Sequence, residues 1–170
     1  MKKGRKKILV LSAVIIVAAA AIFVRNALTA VSGAREAAVR SACGDAVARA
    51  VSDGIEGVTA EAASGDKLVL ASLSANISCL AADYFMAAAR RGTHVRLGAF
   101  TGIKALSLAG PAIGLALSGD CEVSCSLEWR RRYSCNMLYA EVCCRVYPGG
   151  LSSASVLLNY SIPVLAQNLQ

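Results

Sequence analysis

Residues 97–119 read LGAFTGIKALSLAGPAIGLALSG and carry one charge, Lys104. As a helix this stretch would be a second membrane span. As turns and strands it belongs to a folded domain. A helix would hold Gly98, Gly102, Gly110, Pro111 and Gly114 in its interior. Proline alone costs about 3 kcal/mol there, because its ring clashes with the preceding turn and removes a hydrogen bond. Lys104 near the middle of a span would add roughly 2.5–3.5 kcal/mol. The stretch therefore predicts a strand end, one short helical turn near residues 101–107, and a Gly110-Pro111 turn into a long strand. The spacings Gly98/Gly102 and Gly110/Gly114 match a transmembrane dimer motif, but without a span they mark tight turns only.

Towards the C-terminus, Leu115, Leu117, Gly119, Cys121, Val123, Cys125, Leu127 and Trp129 alternate with Ala116, Ser118, Asp120, Glu122, Ser124, Ser126, Glu128 and Arg130. Period two over this length predicts one long strand with one buried face. Residues 130–136 (RRRYSCN) form the expected turn. A second strand places Leu138, Ala140, Val142, Cys144 and Val146 on one face. Pro148-Gly149-Gly150 is the next turn. A third strand carries Val156, Leu158, Tyr160, Ile162 and Val164. Three such strands make an antiparallel meander.

Towards the N-terminus, THVRL (93–97) predicts a short strand. Ile77, Leu80, Ala81, Tyr84, Phe85 and Ala88 recur at helical spacing over residues 74–91, with Ser72 or Ser74 as cap and Gly92 as stop. This helix is expected to cover the apolar face of the meander. KLVLAS (67–72) predicts a strand, and Gly54, Gly57 and Gly65 punctuate a loop. Residues 25–52 are rich in alanine and read as a helix with a thin apolar face of Leu28, Val31, Val39, Val47 and Val51. That face allows close approach of a partner helix or docking onto the domain.

The net charge is +7, of which Lys2, Lys3, Arg5, Lys6 and Lys7 supply five, leaving +2 for the rest. A nucleic-acid-binding domain would carry its basic residues on the folded part, so nucleic acid is not an expected partner. Residues 8–24 contain no charge. As a helix they reach about 26 Å, at the short end of a bilayer span. The preceding Lys and Arg place the N-terminus in the cytoplasm. The rival reading is a cleaved signal, with small residues in Ala27-Leu28-Thr29-Ala30. The length of the run and the helix beyond it favour a retained anchor. The expected fold is α+β: a basic tail (1–7), a transmembrane helix (8–24), a helical stalk (25–52), and a small extracytoplasmic domain (53–170) with a C-terminal three-stranded antiparallel meander packed by a helix.

His94 is the lone histidine, and no nucleophile motif accompanies it. Asp120, Glu122 and Glu128 lie on a solvated strand face. Neighbours two apart stand about 6.5–7 Å from one another, the separation of a glycosidase pair, but any alternating strand gives it. Seven cysteines are present without a CxxC, which argues against zinc and thioredoxin-like sites. Cys121 and Cys125 are about 13 Å apart along a strand, too far to bridge one another. Cys121, Cys125 and Cys144 read as small buried apolar residues, with a cross-strand disulfide from Cys144 to Cys121 or Cys125 left open. Arg130, Arg131 and Arg132 mark a hairpin tip that is either a solvated turn or a contact for anionic lipid or wall polymer. Asn76-Ile77-Ser78 fits a glycosylation sequon by pattern only. No catalytic residue, metal ligand or cofactor is expected.

Leu97-Gly98, Thr101-Gly102 and Gly110-Pro111-x-Ile113, leading into a long strand, resemble the core signature of the YunB family of sporulation proteins. The order of parts agrees: basic tail, anchor, helix, strand, helix, glycine-punctuated stretch, meander. The family's Gly-Ile-Asn-like element is Ser134-Cys135-Asn136 here, so Asn136 alone matches. The resemblance implies a mother-cell membrane protein of an endospore-forming bacterium. Its domain would face the gap towards the forespore, and it would have no enzymatic activity. Other sporulation membrane proteins are the expected partners, with self-association open. An edge strand and the small-residue stalk would be the contact surfaces. The alternative is an extracytoplasmic module that binds lipid or wall material through Arg130–Arg132.

Overall fold

A computed structural model describes residues 2–59, 63, 66–117, 119–132, 135–148 and 155–168, with side chains for all of these except 2–10, 119, 132, 148 and 168. The elements in chain order are α1 (Lys2–Gly54), α2 (Lys67–Arg91), β1 (Thr93–Arg96), two 3-10 turns (Leu97–Thr101 and Lys104–Leu106), β2 (Ala112–Leu115), β3 (Gly119–Arg132), β4 (Cys135–Pro148) and β5 (Val156–Asn168). The expected turn centres at 133–134 and 149–150, and Gly65, lie outside the described residues. The chain divides into two compact units. One comprises residues 1–35 with 93–115, the other residues 36–92 with 116–170. Residues 36–54 of α1 group with the sheet.

In the second unit, β3, β4 and β5 form an antiparallel sheet in that order. Val123 faces Cys144, and Cys144 faces Leu158. The alternation read from sequence is the burial pattern observed: Leu138, Ala140, Val142, Cys144 and Val146 are buried, and β3 alternates half-buried and exposed residues from Cys121 to Arg130. Two helices supply the other side of this core. Ile77, Ala81, Phe85 and Ala89 come from α2, at the spacing of one helix face. Val39, Cys43, Ala46, Val47, Ala50 and Val51 come from α1. The small residues of α1 allow close approach: a Cβ on Gly54 would lie 2.7 Å from Ile77 Cγ1. Leu80, Tyr84 and Val164 pack around the buried set.

Two expectations are corrected here. Residues 67–72 are not a strand but the first turns of α2. Its N-cap is Asp66, not Ser72 or Ser74: the Asp66 carboxylate accepts a hydrogen bond from the Leu68 amide at 2.8 Å, satisfying one of the orphan donors of the first turn. Ser74 and Ser78 instead donate back to the carbonyls four residues earlier. Gly92 does end the helix, its amide reaching Ala89 O with φ at +68°. Second, the long strand from Leu115 is broken. Residues 112–115 pair with β1 and residues 119–132 with β4.

In the first unit, β1 and β2 form a two-stranded antiparallel ladder, with Val95 opposite Ile113 and Arg96 opposite Ala112. The two 3-10 turns fill the connection. Residues 97–117 are therefore turns, a short strand and extended chain, not a second spanning helix. From Leu11 onward α1 is long and apolar enough to cross a membrane, as is α2, whose buried face belongs to the core of the second unit.

Ile77→Ala removes a large, fully buried side chain from between α1 and the sheet. It should lower unfolding stability by about 2–5 kcal/mol. Leu157→Ala, at a position that is 51% exposed, should change it by less than about 0.5 kcal/mol. Urea titration of the detergent-solubilised chain, followed by circular dichroism, measures both.

Candidate functional site

The residues of the family-like motif come together in the first unit. The Leu97 amide donates to Pro111 O at 3.1 Å, and the Gly98 amide to Ala109 O at 2.9 Å. These bonds carry the β1–β2 ladder into the connecting loop. Thr101 Oγ1 donates to Gly98 O at 2.8 Å and accepts from the Ile103 amide at 3.2 Å. Gly98 has no room for a side chain, since a Cβ would collide with the Leu106 carbonyl oxygen. Gly102 lies in the left-handed region at φ +72°, and a Cβ there would meet Asn26 Nδ2 at 2.6 Å.

Asn26 shows what the loop rests on. Its Nδ2 donates to Thr101 O at 3.3 Å. One turn earlier, Phe23 and Phe100 meet edge to face with ring centroids 6.3 Å apart, a geometry that aromatic quadrupoles favour. The motif thus folds the 97–111 loop and seats it on α1 at the end of the uncharged run. Asn136, the remaining motif residue, stands in β4 opposite Arg131, in the second unit.

The arginine tip is only partly a free cation cluster. Arg130 makes ion pairs with Glu141 at 2.9 Å and Glu128 at 3.2 Å. Its guanidinium also lies 5.3 Å from the centre of the Tyr139 ring. Arg131 is exposed, and the side chain of Arg132 lies outside the described set. Glu128, read from sequence as a solvated carboxylate, is one of Arg130's partners. Glu122 lies 3.8 Å from Arg145 and accepts a 3.4 Å bond from the Tyr147 hydroxyl. Beside the tip, the outer sheet face carries a shallow, open concavity of about 260 Å³ lined by Ser124, Ser126, Glu141, Cys143 and Asn159. Ser161 Oγ donates to Glu141 at 2.6 Å, so this carboxylate is held by a serine and an arginine. His94 is exposed on β1. Among the described residues, no three His, Cys, Asp or Glu side chains converge as metal ligands.

Among the described residues no cysteine is in a disulfide. Cys144 sits opposite Val123, so Cys121 and Cys125 are its diagonal neighbours on β3. Diagonal positions stand about 7–8 Å apart, beyond the usual disulfide reach. The neighbour that sequence reasoning missed is Cys43 of α1, whose thiol shares a hydrogen bond with Cys144 and is raised far above its ordinary range by that bond and by burial. The spacing Val39, Cys43, Val47 was the available signal: it places Cys43 on the buried face. Burial alone pushes Cys125 up to about 11. Burial, with the neighbouring Cys144, pushes Cys121 up to about 11 as well.

Gly98→Ala and Gly102→Ala should each open the 97–111 loop. Limited trypsin digestion of the full chain would show it, with cleavage after exposed Lys104 accelerating at least about tenfold, since protection tracks local opening. The raised thiols also fix a pH response. An acid whose pKa is higher in the folded chain holds its proton while the unfolded chain loses it. The stability from Cys121 and Cys125 is therefore complete below their ordinary value of 9.0 and declines as pH rises towards about 11. The urea midpoint should fall across that window, and Cys121→Ala with Cys125→Ala should flatten the fall.

No family model matches this chain, and no curated protein or solved structure does.

Proposed function

We propose that this chain is a single-pass membrane protein of endospore formation, with no enzymatic activity, that presents an α+β domain for contacts with other proteins on the extracytoplasmic side. The observation that carries the anchor is the surface of α1. Every residue from Leu11 to Arg25 is exposed, and Leu11, Val14, Ile15, Ile16, Val17, Ile22, Phe23 and Val24 are each between 49% and 68% exposed. Burying a large aliphatic or aromatic side chain is worth about 1.5–3 kcal/mol. Leaving eight of them in water would cost on the order of 10 kcal/mol, which a bilayer removes. The basic residues 2–7 that precede the run favour a cytoplasmic N-terminus.

The sporulation role rests on the likeness of Leu97-Gly98, Thr101-Gly102 and Gly110-Pro111-x-Ile113 to the YunB signature, and on the order of basic tail, long apolar helix, glycine-punctuated stretch and meander, the strand expected at 67–72 being helical. The lone histidine is exposed on β1 without a nucleophile motif, and Glu122, Glu128 and Glu141 are engaged by arginines. β3 and β5 are the outer strands of the sheet and offer unpaired backbone groups to a partner.

Deleting the gene in its native host should leave vegetative growth unchanged and sharply reduce heat-resistant spores after sporulation is induced. Normal spore counts would remove the support for the sporulation role. Cross-linking in sporulating membranes should give species above the monomer. Alkaline carbonate extraction should leave the chain in the membrane pellet.

A further inference from the structure

We propose that the 97–111 loop is itself a membrane-seated element, lying in the outer interface of an anionic bilayer beside the anchor. This rests on the reading of residues 8–24 as a membrane span. Three observations carry it.

The first is position. Phe100 packs on Phe23, inside the uncharged run, and Thr101 O accepts from Asn26 just beyond its end. The loop is tied to the helix where the hydrocarbon ends. The second is surface. Leu108 is 80% exposed, Ile103 54% and Leu106 43%, with Leu97 and Ile113 close behind. Such a patch on a short loop is unusual in water and fits an interface. The backbone is prepared for it. The amides of Leu97, Gly98, Gly102, Ile103, Leu106, Ser107 and Ala109 all donate within the loop or its ladder. Internally satisfied amides are what a low-water environment demands. The third is charge. The unit formed by residues 1–35 and 93–115 contains nine Lys and Arg and no Asp or Glu, whereas all eleven acidic residues belong to the other unit. Beyond the anchor these cations are Arg25, Arg35, Arg96 and Lys104. Arg25, Arg96 and Lys104 are exposed. Long cationic side chains around an apolar patch fit lipid phosphates above acyl chains.

The test uses the full chain reconstituted in phosphatidylglycerol-containing vesicles. Trp129→Phe removes the one native indole, and Leu108→Trp or Ile103→Trp places a new one on the loop. Leu157→Trp, on exposed β5, is the water-facing control. Lipids brominated near the headgroup end of the acyl chains should quench the loop indoles by about half or more, with blue-shifted emission, and leave the control unquenched. A red-emitting, unquenched indole in protein that survives carbonate extraction would overturn the loop proposal while leaving the anchor standing. Blue-shifted but unquenched emission would mean the patch is covered by a second copy, and would also overturn it. Protein released by carbonate would overturn both the anchor and the loop.

Discussion

The physical constraint on which this chain depends is the uncovered apolar surface of α1 between Leu11 and Val24. Large side chains stand exposed there, and the helix is long and apolar enough to cross a membrane. Further along the same helix, between Val39 and Val51, the side chains are smaller and are buried against α2 and the sheet. A helix that is apolar all round fits a membrane span, and one with a single apolar stripe fits a protein core. One continuous element holds both patterns in sequence.

Charge follows the same division. The unit that includes the uncovered run has no carboxylate, and the unit built on the sheet has every one. In that second unit acids and bases are interspersed: Glu36 with Arg40, Glu128 and Glu141 with Arg130, Glu122 with Arg145. These exposed pairs contribute little stability each. Their significance is that the sheet-bearing unit has the mixed surface of a protein in water, which the other unit lacks.

The sheet was legible because one buried face imposes period two on every strand. The assigned faces of β3, β4 and β5 are the observed ones, and so is the order of the meander. The errors have local causes. KLVLAS is too short for its period to separate a strand from helical turns, and the decisive signal, Asp66, lies just outside it as an N-cap. The break between β2 and β3 is invisible to alternation, because Leu115, Leu117 and Gly119 keep period two while the chain changes partners. The apolar face read on residues 25–52 docks on the core through Val39, Val47 and Val51, with alanine and cysteine between them. Such a face is weakly hydrophobic by composition but packs closely.

The motif residues were legible as turn formers, but their target was not. That Thr101 and Gly102 meet Asn26, and Phe100 meets Phe23, follows from a contact across about 75 residues that no local pattern encodes. The glycines explain why the contact can form. Removing the side chain at 98 lets two turns stack, and removing it at 102 lets the Asn26 amide approach the backbone. These positions build a loop placed against a helix. The motif contributes one hydroxyl, at Thr101, and that hydroxyl is already committed to Gly98 O and the Ile103 amide. What the motif leaves on the outside of the loop is apolar: Ile103, Leu106 and Leu108 are exposed.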